Sequence, residues 1–166
     1  MKKCFYYVVG PEKKGAVCVV PLYPHDLMDL VNEDTIFREK NVFKVGKGAR
    51  WYDIIWFQYN NSNYCISENF KKLLEENKIT GWTSFPIILE NAPQQYHLFV
   101  ITGKAGDILN LEELNRGDAE FVEFDLNTWD GSDIFRLENT GYFACTLQFK
   151  ELFEKHNITN FKFKIL

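Results

Sequence analysis

The sequence predicts an α+β domain: a mixed, mostly antiparallel sheet carrying two related strand-helix-strand units. Three observations point there. YCISENFKKLLEENKITGW at 64–82 recurs as ACTLQFKELFEKHNITNF at 144–161. Elsewhere the apolar residues fall in short runs bounded by Gly, Pro, Asn and Asp, the signature of strands and turns. Strand runs and helices alternate loosely, which suits an α+β arrangement better than a regular doubly wound sheet.

Taken in chain order, residues 4–9 and 16–20 read as strands, and the turn at 10–15, rich in Gly, Pro and Lys, predicts that they form a hairpin. Leu27, Leu30 and Val31 share a face, which predicts a short helix over 25–31. Residues 37–50 are basic and Gly-containing, a loop with a short strand around 42–45. DIIWFQY at 53–59 is a strong strand, and the polar turn 60–63 leads into the first repeat.

In that repeat Ser67 sits where a hydroxyl can accept a bond from an orphaned amide of the first helical turn. Phe70, Leu73 and Leu74 then form one apolar stripe, with Lys71, Lys72, Glu75 and Glu76 opposite. The second repeat matches it with Thr146 as the cap, Phe149, Leu152 and Phe153 inward, and Lys150, Glu151, Glu154 and Lys155 outward. Both helices end near an Asn, Asn77 and Asn157, and Gly81 aligns with Asn160, two residue types that tolerate left-handed backbone. Exit strands follow at 82–89 and 161–166. Between the repeats, 96–102 and 134–137 read as strands, 121–124 as another, and 111–115 as a helical turn, with a turn at 139–141.

A chain of 166 residues with 46% hydrophobic content fits one domain over 1–166. It can remove about 70% of its unfolded-chain surface from water. Fifteen Phe and eight Tyr make rings the main source of interior bulk. Cys4, Cys18, Cys65 and Cys145 lie far apart in apolar runs, without metal-ligand spacing, and read as reduced, buried, structural thiols. That usage fits a cytoplasmic address. The Met-Lys-Lys start imitates a signal peptide for three residues, but the following apolar run is too short and no stretch approaches a membrane span.

Charge is uneven. Residues 107–138 carry ten acidic residues against Arg116 and Arg136, a balance of −8 in a chain of net −4, so the remainder sums to +4. Such a patch steers basic partners and repels nucleic acid; it is equally a solvated surface of strands and loops. The candidate partner contacts are Glu120, Glu123 and Asp125, then Asp130, Asp133 and Trp129. Asp-Gly-Ser at 130–132 is turn chemistry, so the aromatics around it can instead pack inward at a fold-defining corner. Two carboxylates three residues apart, with no further ligand pattern, make a weak metal site, and no cofactor or metal is expected.

Trp129-Asp130-Gly131-Ser132-Asp133-Ile134-Phe135-Arg136 is followed by a short strand and a Thr-capped helix that exits as Ile-Thr-Asn-Phe-Lys-Phe. This order is similar to the C-terminal part of a broad family of bacterial polymorphic-toxin immunity proteins. Ile66-Ser67-Glu68-Asn69-Phe70-Lys71 and Ile79-Thr80-Gly81-Trp82 resemble that family's central segment. The likeness covers residues 53–166; residues 1–52 carry no matching motif. It implies a cytoplasmic, non-enzymatic protein that binds the C-terminal domain of a cognate toxin one to one, with no catalytic residues to transfer. An acidic surface would suit a basic toxin.

Two other classes stay open. A small-ligand-binding regulatory domain is compatible with the sequence. A hydrolase is less so: His25, His97 and His156 have no obvious nucleophile, His156 lies about three turns along the second helix from Cys145, and Ser67 lacks a nucleophile-elbow motif. Gly103-Lys104-Ala105-Gly106 lacks the full phosphate-loop spacing.

Overall fold

The computed structural model describes residues 5–10, 13–22, 42–57, 64–106, 108–117, 122–138 and 140–166. The first part of the chain forms β1 (Phe5–Val9), β2 (Cys18–Pro21), β3 (Val42–Lys47), β4 (Ile54–Phe57), β5 (Tyr64–Ser67), α1 (Glu68–Glu76) and β6 (Trp82–Pro86). The second forms β7 (Ile88–Leu89), β8 (Tyr96–Ile101), β9 (Lys104–Ala105), α2 (Leu111–Arg116), β10 (Ile134–Leu137), β11 (Phe143–Thr146), α3 (Leu147–Lys155) and β12 (Lys162–Ile165). This is an α+β fold with two mixed sheets, in the orders β12-β1-β11-β10-β9 and β6-β8-β5-β4-β2-β3-β7. The pairs β9/β10, β2/β4 and β3/β7 are parallel and the other described pairs antiparallel.

The internal repeat is larger than its sequence echo. Ile54 pairs with Ile66 as Ile134 pairs with Cys145, so the hairpin before each helix belongs to the unit. Ser67 faces Tyr96 across β8, and Thr146 faces Phe5 across β1. Thr83 faces Val100 on the other side of β8, and Lys162 faces Val9 on the other side of β1. Cys18 pairs in parallel with Trp56, and Lys104 with Arg136. All these registers agree. Each half of the chain therefore runs through the same five strands and one helix: β1, β2, β4, β5, α1, β6 in the first, and β8, β9, β10, β11, α3, β12 in the second.

The halves exchange their first strands. β1 lies between β11 and β12 of the second half, while β8 lies between β5 and β6 of the first. This corrects the expected hairpin: β1 and β2 belong to different sheets, and the turn at 10–15 carries the chain from one to the other. Turn chemistry alone reads a reversal, but β1 satisfies the hydrogen bonds of both its edges only between two strands of the other half. Three further expectations fare differently. Of the strand expected at 121–124, residues 122–124 form none, Phe124 making a single antiparallel bridge to Ile108, and residue 121 lies outside the described residues. The proposed helix at 25–31 and turn at 60–63 lie outside the described residues.

Helix packing follows the two apolar stripes. Phe70 and Leu74 of α1 and Phe149, Leu152 and Phe153 of α3 are buried, with Phe70 set 6.3 Å from Phe149 and 6.0 Å from Phe153 between ring centroids. Each such ring contributes about 1.5–3 kcal/mol by leaving water. The central core is built largely from equivalent pairs: Ile54 and Ile134, Tyr64 and Phe143, Ile66 and Cys145, Ile79 and Ile158. The outer faces of the sheets carry smaller cores, again in pairs, Ile55 with Phe135 and Phe57 with Leu137. Both helices turn off alike, Lys78 and Asn157 at φ +54° and Gly81 and Asn160 at φ +90°.

Candidate functional site

The Trp-Asp-Gly-Ser-Asp motif forms the corner that leads into β10, and its side chains bind within the protein. Trp129 is half-buried, its ring 5.0 Å from Phe5 and 5.8 Å from Phe135, and its Nε1 donates to the Ser132 carbonyl at 3.0 Å. Gly131, at φ +90°, turns the chain. Asp130 accepts from the Lys104 amide at 2.8 Å, the Ser132 amide at 3.0 Å and the Ser132 hydroxyl. Partial burial pushes its carboxyl up, but those donors outweigh it and hold the carboxyl below its ordinary range.

Asp133 joins the two halves. Its Oδ2 accepts from the Thr80 amide at 3.0 Å and the Thr80 hydroxyl at 2.9 Å, where the chain leaves α1. Its Oδ1 accepts from the Thr146 hydroxyl at 3.1 Å, at the start of α3. The Asp133 amide donates back to Thr80 Oγ1 at 3.1 Å, and the Ile134 amide to the Thr80 carbonyl at 3.1 Å. One carboxylate thus ties the exit of the first helix to the entry of the second.

Asp53 is its counterpart. The Ser67 hydroxyl donates to Asp53 Oδ1 at 2.6 Å while accepting from the Phe70 amide at 3.1 Å, so the expected cap of α1 is present. Thr146 occupies the N-cap position of α3 but makes no side-chain cap bond. The reciprocal contact uses a different device: Asn160 Nδ2 donates to the Ile54 carbonyl at 2.8 Å, and its Oδ1 accepts from the Lys13 amide at 2.8 Å. At the matching position a Cβ on Gly81 would lie 2.0 Å from the Ile134 carbonyl oxygen, so the backbones meet directly there. The sequence placed Asp53 in a strand, Thr80 in a motif and Asn160 at a left-handed turn, but not the side-chain bonds that each makes here. The Asp-Ile pairs at 53–54 and 133–134, at similar distances before Ser67 and Thr146, were the signal for the first.

The remaining candidates lie on the segment before this corner. Glu123 is exposed, and its amide donates to Asn110 Oδ1 at 2.9 Å. Asp125 caps a short 3-10 turn (Leu126–Thr128), accepting from the Asn127 amide at 2.9 Å. Glu120 lies outside the described residues. Trp129, Asp130 and Asp133 therefore come together as a structural corner, and Glu123 is the described acidic candidate left facing solvent without a structural bond to its carboxylate.

Groups with chemical potential elsewhere are enclosed. Cys18, Cys65 and Cys145 are free and buried, and burial pushes all three thiols up, away from the thiolate. His97 is interior: its Nε2 lies 2.5 Å from Glu68 Oε2, while its buried Nδ1 has no hydrogen-bond partner among the described residues. That bond to His97 holds the Glu68 carboxyl below its ordinary range. His156 caps the C-terminus of α3. Lys104 and Ala105 form a strand where the phosphate-loop lookalike stood, and a Cβ on Gly103 would strike the Ile134 carbonyl at 2.0 Å. No cluster of three metal-ligating side chains occurs among the described residues, and no described helix is long and apolar enough to cross a membrane. Comparison with protein-family models and with curated protein sequences finds no match.

Proposed function

We propose that the chain acts by binding another protein, as an immunity protein that occupies the C-terminal domain of a cognate bacterial toxin one to one in the cytoplasm. The observation that carries this reading is where the family-like residues sit. Trp129, Asp130, Ser132, Asp133, Ser67 and Thr80 spend polar atoms on neighbouring side chains or on backbone, which fixes the corners of each half, and the bonds between Asp133 and Thr80 join the halves. A signature of this kind specifies a shape, and a shape acts through its surface. The buried, protonated thiols and the enclosed His97 agree with a role that needs no nucleophile. Of the acidic contacts named from sequence, Glu123 and Asp125 remain on an outer segment, with Glu120 nearby in the chain.

The test is co-purification with the toxin domain encoded beside this chain and rescue of growth when both are expressed. Neutralising Glu120, Glu123 and Asp125 together should slow association with a basic toxin and flatten its salt dependence. Unchanged on-rates remove the acidic segment from the mechanism. Turnover of a substrate by the pure protein overturns the reading as a whole.

A further inference from the structure

The first half carries an addition that the duplicated framework does not need. In the five-stranded sheet β9 is an edge among the described strands, whereas in the seven-stranded sheet its counterpart β2 is followed outward by β3 and β7. Where β3 joins β2, the register shifts between Cys18 and Val19, and Lys47 is brought opposite Cys18. Bulges of this kind re-aim side chains. Next to it the turn around Gly15, at φ +76°, and the turn around Gly48, at φ +81°, lock together: the Ala49 and Arg50 amides both donate to the Gly15 carbonyl, at 3.0 and 2.9 Å. A Cβ on Gly48 would lie 2.2 Å from the Ala16 carbonyl, so this approach requires glycine.

Between these turns lies a half-open cavity of about 350 Å³, lined among the described residues by Lys13 and Lys47, by Cys18 and Trp56, and by β4 at Phe57, whose own ring is buried in the outer core. That is the lower end of the range for small-molecule sites. No carboxylate among the described residues lines it, and neither lysine forms an ion pair with any described residue. Lys13 Nζ instead stands 5.8 Å from the centroid of the Tyr52 ring. Two ammonium groups around one concave space repel each other and attract an anion. The second half differs here: Lys104, Arg136 and Leu137 stand where Cys18, Trp56 and Phe57 stand in the first, and no described strand borders β9 on the outside.

We propose that this cavity is a binding site for a small organic anion with a flat apolar part, its charged end between Lys13 and Lys47 and its flat part against Trp56. Nothing in this depends on the toxin-binding reading, which uses other residues. The probe is 1-anilinonaphthalene-8-sulfonate, titrated into the full chain by fluorescence, with the uncharged N-phenyl-1-naphthylamine as its neutral counterpart. The sulfonate should bind one to one, weaken with salt, and shift the Trp56 indole N–H resonance. In the K13Q/K47Q double variant its affinity should fall about tenfold, and in Trp56→Phe about threefold. Both lysines are exposed, so circular dichroism and the urea midpoint should match the parent and show that the fold is kept. Equal binding of the neutral counterpart, undiminished binding to the double variant, or no binding at millimolar sulfonate overturns the proposal.

Discussion

Replacing Asp133 by Ala tests whether one carboxylate joins the two halves. Its oxygens accept three hydrogen bonds, two from Thr80 and one from Thr146. A bond to a charged acceptor is worth about 1.5–3 kcal/mol when sheltered, but the Thr80 side of this site is open to water and screened. The sum expected for Asp133→Ala is therefore about 2–3 kcal/mol, below the nominal total for three such bonds. Asp133→Asn keeps the shape and one accepting oxygen, and should lose about 1 kcal/mol. Asp53→Ala, which removes one side-chain bond to Ser67, should also lose about 1 kcal/mol.

Urea unfolding monitored by tryptophan fluorescence gives these differences from the midpoint at constant slope. The decisive measurement is the double-mutant cycle with Thr80→Ala, whose coupling to Asp133→Ala should be about 1 kcal/mol because the two groups share their bonds. A loss under about 0.5 kcal/mol for Asp133→Ala, the range of an ordinary surface change, or strict additivity with Thr80→Ala refutes the clamp.

Three further predictions use the contacts between halves and the buried phenol. Gly81→Ala forces a methyl to within 2.0 Å of a backbone oxygen at φ +90°, and should lower stability by more than about 3 kcal/mol in the same assay. Asn160→Gly keeps that backbone angle and loses two side-chain bonds, for about 1–3 kcal/mol, while Asn160→Ala loses about 1 kcal/mol more through strain; the reverse order contradicts the assignment. Burial pushes the Tyr64 phenol up to about 12 from an ordinary 10, so between those values the unfolded chain gives up a proton that the folded one keeps. Stability is then intact below pH 10 and falls as pH rises toward 12, by about 2–3 kcal/mol from this group. The raised thiols of Cys65 and Cys145 act in the same direction from about pH 9. Urea midpoints at pH 8, 10 and 11 check this, and Tyr64→Phe should reduce the slope above pH 10.

Local structure was legible where residue type dictates local geometry. The stripe Phe70, Leu73, Leu74 and its copy Phe149, Leu152, Phe153 placed both helices, because burial at helical spacing leaves few alternatives. Gly81 and Asn160 were read as left-handed from their tolerance alone, and both stand at φ +90°. Pairing was not legible in the same way. Nothing local to 4–9 says that β1 must cross to β11 and β12, because strand composition reports burial and not partner. The acidic candidates show the same divide: Asp130 and Asp133 looked like surface charge by count, yet each is held by donors distant in sequence, from Lys104 and from Thr80. Lys13 and Lys47 meet only through two glycine turns and a bulge, none of which announces its partner in the sequence.

The exchange of β1 and β8 explains why a duplicated chain of this kind behaves as one body. Without β8, β6 would have no partner and β5 would lose one of its two edges; without β1, the same would befall β12 and β11. Each half thus supplies the strand that the other half needs to satisfy its buried backbone groups, and neither half carries a complete set. The Asp133 clamp and the Asn160 bond to Ile54 act across that same junction, so local opening of one half exposes polar groups in both. Such mutual dependence holds the framework residues in place and leaves change to the additions around it. The strands β3 and β7 and the segment carrying Glu123 and Asp125 lie outside the shared five-strand plan; β3 closes one side of the cavity with Lys47, and the segment carries two of the candidate partner contacts.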